Sequence, residues 1–166
     1  QFERLFESEY QAVIDPRTGA TECAAFFVET VQGTAGYIAA PDGYLQELQR
    51  VLREHNILLV IDDIQMGFYR TGTLWSMERF GIAPDVLIFG KSLTNGLNPL
   101  SGLWAREELI APEHFPIGST HSTFSNNPLG MRLGVATFEW MQQQDYETHV
   151  AEIGSYLLDK LKELQQ

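Results

Sequence analysis

Three short apolar runs along the chain have the pattern of buried β-strands. They are CAAFFV (23–28), which leads into Glu29, ILLVI (57–61) and VLIF (86–89). Runs of this length without polar alternation predict strands that are covered on both faces of a sheet. A fourth stretch, SGLWARE (101–107), is compatible with one further strand.

In the segments between and after these strands, apolar residues recur at the intervals of an α-helix. After Pro41 and Asp42 the apolar side chains recur at three- and four-residue intervals, which predicts a helix with Asp42 as its N-cap; its apolar stripe is Tyr44, Leu45, Leu48, Val51 and Leu52. TLWSMERFG (73–81) predicts a short amphipathic helix, and residues 127–143 and 145–165 predict long ones. Strands that alternate with helices indicate an α/β domain with a mostly parallel sheet flanked by helices.

Each of the three apolar strands is followed by an ionisable residue: Glu29, Asp62 or Lys91. Ligands of open α/β sheets bind outside the carboxyl ends of the strands. Asp62 and Lys91 are 91 − 62 = 29 positions apart, about one crossover unit, so they can face one crevice. Strand-end charges are also commonly just solvated. From spacing alone, a binding site and a solvated sheet edge therefore both remain open.

Composition and charge exclude several classes of partner. The 166 residues are 44% hydrophobic and 20% charged, as in a soluble globular protein. With 11 basic and 22 acidic residues the formal charge is −11, which argues against nucleic-acid or anionic-membrane binding. Cys23 is the only cysteine, so a disulfide within the chain is impossible and a cytoplasmic location is predicted. The histidines show no metal-ligand spacing, so no metal site is expected.

Three motifs, in order and spacing, resemble the signature of class III (ω-amino-acid type) pyridoxal-phosphate-dependent aminotransferases. They are FFVETVQGTAGY (26–37), the long stretch from LLVIDDIQ to LNPLSG (58–102), and HSTFSNNPLG (121–130). The long stretch contains the Asp62–Gln65 tetrad, the turn from Gly67 to Gly72, the Pro84–Asp85 pair and Lys91, in the order that the family has them.

The resemblance implies a fold and a domain organisation. The expected fold is that of fold type I pyridoxal-phosphate-dependent transferases (aspartate aminotransferase-like), with residues 1–145 forming part of the large cofactor-binding domain. Residues 146–166 would be a helix that leads toward a C-terminal small domain. The family's phosphate-binding loop and substrate-carboxylate arginine have no counterpart in this chain, so we expect the large domain to be incomplete at both ends. The 166-residue fragment alone is accordingly expected to be inactive.

By the same resemblance, Lys91 is the lysine that forms a Schiff base with pyridoxal 5′-phosphate. An amine in that role must be deprotonated to attack, and once freed it can transfer a proton. Asp62 resembles the aspartate that pairs with the pyridine nitrogen and keeps it protonated. Asp63 stands where the family usually has Glu, and we expect a structural role for it.

The resemblance assigns four further residues. Gln65 would lie near the ring's 3-oxygen, and Thr123, with the backbone near Ser122, would reach the cofactor phosphate of a neighbouring subunit, which implies a homodimer with shared active sites. Glu29 would act as a substrate gate. The residue after it is Thr30 where the family has Pro, which predicts a less rigid loop.

The implied activity is transamination from an amino acid or ω-amine donor to a 2-oxo acid, with 2-oxoglutarate as the expected acceptor. Diaminobutyrate, 4-aminobutyrate and ornithine remain alternative donor types. An aminomutase, racemase or decarboxylase of the same fold would also need Asp62 and Lys91. A non-catalytic fragment is a further alternative, although neither residue is altered.

Overall fold

A computed structural model describes residues 23–119 and 121–165. A four-stranded sheet with the order β1–β4–β5–β6 lies beside a two-stranded β2–β3 ribbon. The strands are β1 (Ala25–Val28), β2 (Val31–Gln32), β3 (Ile38–Ala39), β4 (Leu58–Asp62), β5 (Val86–Phe89) and β6 (Gly102–Ala105). The helices are α1 (Tyr44–Glu54), α2 (Ser76–Arg79), α3 (Pro128–Gln142) and α4 (Tyr146–Leu164), with 3₁₀ turns at Lys91–Thr94 and Glu107–Leu109.

The predicted α/β architecture is confirmed. β1 pairs with β4 and β4 with β5 in parallel, and β6 closes the sheet antiparallel to β5. The helix α1 makes the crossover from β1 to β4, and α2 lies in the connection from β4 to β5. Parallel neighbours need such crossovers, which is why the strand-helix-strand pattern identified the sheet.

The expectation that β1 is buried on both faces is wrong. Phe27 is 66% exposed, whereas the side chains from Leu59 to Ile61 in β4 are buried. Among the described residues β1 has one hydrogen-bonded neighbour, β4, and therefore forms an edge of the sheet. An apolar run identifies a strand, but burial depends on what other parts of the chain cover it.

The predicted N-cap at Asp42 is also wrong. The helix α1 begins at Tyr44, and its N-cap is Gly43, which has a left-handed backbone (φ 77°) and no side-chain cap. Glycine adopts this conformation without steric cost, so the chain turns one residue later than the Asp-based rule predicts. The amide of Tyr44 is bonded instead to the carbonyl of Pro41, at 3.1 Å.

The core lies between α1 and the faces of β4 and β5. Its buried side chains come mainly from those elements and from Ile82: Leu45, Leu48, Leu52, Ile57, Leu59, Ile61, Ile82 and Leu87. The predicted apolar stripe of α1 therefore faces the core, except that Tyr44 is 41% exposed.

Replacing Leu45, which has no exposed surface, by alanine should lower the free energy of unfolding by about 2–5 kcal/mol through lost burial and a residual cavity. Leu164→Ala is the matched control, because Leu164 is 83% exposed and its loss should cost below about 0.5 kcal/mol. Urea unfolding of both variants measures this. Equal destabilisation by the two substitutions would contradict the placement of the core.

The two long helices differ in how much of their surface is buried. In α3, capped by Asn127, Gly130 and Gly134 are buried because Leu93 and Leu100 approach them closely. No side chain of α4 is buried against the described residues. In the described part of the chain, no helix combines the length and apolarity needed to cross a bilayer.

Candidate active site at the carboxyl ends of the strands

The fold brings Glu29, Asp62 and Lys91 to one edge of the sheet. Val28 is in register with Ile61, so Glu29 and Asp62 follow paired positions of neighbouring strands. Asp62 is in register with Ile88 of β5, and Lys91 opens the 3₁₀ turn three residues later. Because β1, β4 and β5 are parallel, their carboxyl ends point the same way. The three residues therefore follow the carboxyl ends of neighbouring strands, as the sequence predicts.

Asp62 is half-buried and has one local partner. Its Oδ1 accepts a hydrogen bond from the backbone N–H of Ile64 at 3.1 Å. Among the described residues it forms no ion pair with a lysine, arginine or histidine. The carboxylate thus keeps acceptor capacity for a cationic or N–H-bearing ligand.

Lys91 is hydrogen-bonded to Gln65, another residue that the family resemblance assigns to the site. Its Nζ donates to Oε1 of Gln65 at 3.3 Å, and Nε2 of Gln65 donates to the hydroxyl of Tyr37 at 3.3 Å. Lys91 also has a positive φ of 42°, which is strained for a residue with a side chain and is typical of functional positions. Tyr37 was not identified from the sequence, because its contact with Gln65 spans 28 positions.

At Gly33 the backbone that connects β2 and β3 lies very close to the side-chain amide of Gln65. A Cβ at Gly33 would lie 2.2 Å from Oε1 of Gln65, so no larger residue fits without displacing that side chain. The amide of Gly33 also donates to Oε2 of Glu29 at 3.0 Å. The loop after β1 therefore holds Glu29 and approaches Gln65 through the same glycine.

The fully buried acid of the tetrad is Asp63, which follows β4. Its carboxylate accepts bonds from the backbone N–H (3.0 Å) and the hydroxyl of Ser76, and Thr30 Oγ1 donates to Ser76 Oγ at 2.6 Å. All three residues have no exposed surface. Asp63 thus takes the structural role expected of it. Thr30 adds a buried hydrogen bond to the loop after Glu29. That this loop is less rigid than the family's stays a prediction.

Burial raises the pKa of Asp63 above its ordinary value of 3.8, although the bonds from Ser76 offset part of this effect. The folded state therefore binds this proton more tightly than the unfolded state. The resulting stabilisation is fully present below pH 3.8 and is lost as the pH rises through the raised pKa.

Asp63→Asn removes this titration. The free energy of unfolding of Asp63→Asn relative to the unmodified protein should therefore increase as the pH rises above 3.8. Urea unfolding of both proteins across an acid-to-neutral pH series measures the difference. A difference that does not change with pH would show that Asp63 does not titrate as its burial implies.

The last two predicted residues, Ser122 and Thr123, are not hydrogen-bonded to this cluster in the described structure. Ser122 and Thr123 are exposed in a loop, where Ser122 bonds with Ser125 and Phe124. The structure shows no hydrogen bond from either residue to Asp62, Gln65 or Lys91 within the described ranges. Arg70 reaches Ser92 Oγ at 3.4 Å and so connects the glycine-rich turn to the residue after Lys91.

One of the three tryptophans packs in a cluster of aromatic rings. Trp75 contacts the rings of Phe68, Phe89 and Phe138, whereas Trp104 and Trp140 are 51% and 59% exposed. Within residues 23–119 and 121–165, no group of three or more His, Cys, Asp or Glu side chains is arranged to hold a metal ion.

Comparison with known proteins identifies the family. The family model described as aminotransferase class-III matches residues 1–166. The chain belongs to the class III aminotransferases.

Curated relatives of this class III chain include an ornithine aminotransferase of Brevibacillus brevis, 39% identical over 141 residues, which cover 85% of this chain and 35% of the relative. An alanine/serine racemase of Pyrococcus horikoshii is 35% identical over 145 residues, 87% of this chain and 30% of the relative. The chain thus spans about a third of the length of these relatives.

Among solved structures, an (S)-enantioselective ω-transaminase from Thermomicrobium roseum superimposes with a TM-score of 0.80 at 31% identity. The match covers 98% of the class III chain and 36% of the transaminase. Together with the family match, this likeness confirms the expected fold type I.

Proposed function

We propose that the whole protein is a pyridoxal-phosphate-dependent aminotransferase, which moves an amino group from an amino acid or ω-amine donor to a 2-oxo acid such as 2-oxoglutarate. The observation that carries the proposal is the placement of Asp62 and Lys91 at the carboxyl ends of neighbouring parallel strands, with Gln65 Oε1 3.3 Å from Lys91 Nζ. Family membership supports the same activity.

The chemistry of these side chains fits the cofactor. Asp62 is a carboxylate whose described neighbours supply a single backbone N–H bond and no cation. Lys91 is an exposed amine held by a neutral amide rather than by a carboxylate. A planar ligand with a basic ring nitrogen and an aldehyde would satisfy both groups.

Lys91 would hold the cofactor and serve as the proton carrier. Pyridoxal phosphate supplies an aldehyde that condenses with amines and a pyridine ring that accepts electrons from a breaking bond. The Nζ of Lys91 would bind that aldehyde covalently in the resting enzyme. As a free amine, Nζ would take a proton from the amino-bearing carbon of the donor and deliver it to the C4′ position.

Asp62 and Gln65 would orient the ring. The carboxylate of Asp62 would accept a charge-assisted bond from the protonated ring nitrogen and thereby favour electron withdrawal. Gln65, already positioned by Tyr37 and Lys91, would bring its amide to the ring oxygen. These roles follow from the chemistry of the groups and from the family motif.

The phosphate site would be completed across a homodimer. Thr123 and the backbone near Ser122 offer a hydroxyl and N–H donors on an exposed loop, which suits phosphate oxygens of a neighbouring subunit. The unburied helix α4 would continue from the large domain, assigned to residues 1–145, toward the small domain. Residues 1–22 of that assignment lie outside the described part. A cytoplasmic location stays a prediction from composition.

The donor class is proposed from the relatives. The name of the Brevibacillus brevis relative favours ornithine or a similar diamino acid, such as diaminobutyrate. Glu29, which is half-buried and held by the Gly33 amide, would face the substrate beside Asp62 and act as its gate.

A second candidate activity is racemisation, because the Pyrococcus horikoshii relative is named an alanine/serine racemase. Both activities require Lys91 and Asp62, so the described site does not separate them. The fate of the amino group does, since a racemase leaves it on the same carbon and inverts that carbon, whereas an aminotransferase transfers it to a 2-oxo acid.

The test uses the whole protein loaded with pyridoxal phosphate. Borohydride reduction should fix a pyridoxyl group on Lys91, which peptide mass spectrometry can locate. A separate, unreduced sample incubated with ornithine and 2-oxoglutarate should form glutamate in a one-to-one ratio with the ω-semialdehyde product. Failure to label Lys91 would refute the cofactor assignment. Inversion of alanine or serine without consumption of 2-oxoglutarate would establish the racemase instead.

A further inference from the structure

A buried hydrogen-bond chain joins the loop that begins at Glu29 to the segment that follows Asp62. Thr30 Oγ1 donates to Ser76 Oγ at 2.6 Å, and the hydroxyl and backbone N–H of Ser76 both bond to the carboxylate of Asp63. Thr30, Ser76 and Asp63 each have no exposed surface. Solvent therefore does not compete for these bonds, and losing one leaves a buried polar group less satisfied.

The chain is placed directly behind the candidate site. Thr30 follows Glu29, and Asp63 follows Asp62, so each end of the chain is one peptide unit from a half-buried carboxylate at the sheet edge. The backbone of Asp63 is also fixed, because its N–H donates to the carbonyl of Ile88 (2.8 Å) and its carbonyl accepts from Gly67 (2.9 Å). Asp63 is therefore an anchored end of the chain.

Thr30 is the other end, and it organises the loop that holds Glu29. Its carbonyl accepts from Ala40 N–H at 3.1 Å, where the chain returns after β3. Its hydroxyl links this loop to Ser76, at the start of α2. Among the described contacts, the hydrogen bond from the Thr30 hydroxyl to Ser76 connects the start of the loop to the β4–α2 segment.

We propose that Thr30 is a positioning residue, which through Ser76 and Asp63 holds the Glu29 carboxylate in a fixed place relative to Asp62. The inference rests on the proposed function, in which Glu29 faces the substrate. Removing the hydroxyl breaks the bond to Ser76 and leaves the bond from Ala40 N–H to the Thr30 carbonyl. The start of the loop thereby loses its connection to α2, and the Glu29 carboxylate samples positions away from the substrate. The cofactor-binding lysine is on a different strand connection and keeps its place.

The test is a double-mutant cycle in the whole, cofactor-loaded protein. Thr30→Val keeps the branched shape and removes the hydroxyl; it should lower kcat/KM for the amino donor about three- to tenfold, as expected for one lost hydrogen bond. Thr30→Ser, which retains a hydroxyl, should restore kcat/KM to within about twofold. In a Glu29→Ala background, Thr30→Val should cause no further loss, because Thr30 acts through Glu29.

Thr73→Val is the matched control. Thr73 Oγ1 bonds to the carbonyl of Trp75 at 2.7 Å, close to α2 but outside the chain that reaches Glu29. Its kcat/KM should match that of the unmodified protein. Should Thr30→Val not fold, Thr30→Ala carries the same expectations, because it removes the hydroxyl without adding an apolar atom beside Ser76.

Two results would overturn the inference. One is an unchanged kcat/KM in Thr30→Val or Thr30→Ala, and the other is an equal loss in the presence and absence of the Glu29 carboxylate, which a purely structural role would give. Labelling of Lys91 by borohydride is measured in every variant. Absence of the label in the unmodified protein would refute the proposed function itself, and is thereby distinguished from failure of the Thr30 proposal.

Discussion

Replacing Lys91 by alanine is expected to abolish the covalent cofactor bond and to lower kcat for transamination on the order of 10⁴-fold. The substitution removes both the amine that binds the aldehyde and the base that moves the proton. Lys91 is exposed, and its one described hydrogen bond goes to Gln65. In the cofactor-free protein, the free energy of unfolding should therefore change by less than about 0.5 kcal/mol.

The measurements are glutamate formation by the whole protein and borohydride labelling followed by mass spectrometry. Lys160→Ala is the matched control, since Lys160 is exposed on α4 and pairs with Glu163 at 2.8 Å. Its activity should equal that of the unmodified protein. Turnover that survives in Lys91→Ala, or a pyridoxyl label on another lysine, would contradict the assignment of Lys91.

Asp62→Asn should have the second largest effect. Asparagine keeps the shape of the side chain, and its amide oxygen can still accept the bond from Ile64 N–H. It lacks the negative charge that would keep the ring nitrogen protonated. A charge-assisted hydrogen bond contributes about 1.5–3 kcal/mol, so kcat should fall about 10- to 150-fold.

The affinity for pyridoxal phosphate should weaken as well, which fluorescence titration of the cofactor-free protein can measure. Asp42→Asn is the control, because Asp42 is exposed before α1 and lies outside the site. An Asp62→Asn protein with unchanged kcat would mean that the ring nitrogen has another partner. That result would leave the assignment of Lys91 intact but would remove the proposed electrostatic role of Asp62.

The strands of the four-stranded sheet were predicted well because their signal is local, whereas the two-residue strands β2 and β3 were not predicted. VLIF became β5 with the same bounds, Val86–Phe89, and ILLVI became β4 with a shift of one residue that takes in Asp62. The two errors concern features that the pattern of apolar residues does not encode. The start of α1 depended on the left-handed conformation of Gly43, and the exposure of Phe27 depended on β1 lying at an edge.

The site was predicted in part. The strand-end positions of Glu29, Asp62 and Lys91 followed from the apolar runs, since parallel strands present their carboxyl ends together. Ser76 and Tyr37 could not be predicted, because their bonds span 46 positions to Thr30 and 28 positions to Gln65. The two departures from the family motif, Thr30 and Asp63, looked unrelated in sequence but are bonded to the same serine.

By itself, the sequence determined the alternation of strands and helices, the family, and which ionisable residues end the strands. Periodicity and motif order are properties of neighbouring residues, so folding does not alter them. Only the tertiary structure decided which acid is buried, namely Asp63 and not Asp62, and which residue anchors the Glu29 loop. Burial and long-range hydrogen bonds arise when distant segments pack together, and a linear pattern carries no direct record of that packing.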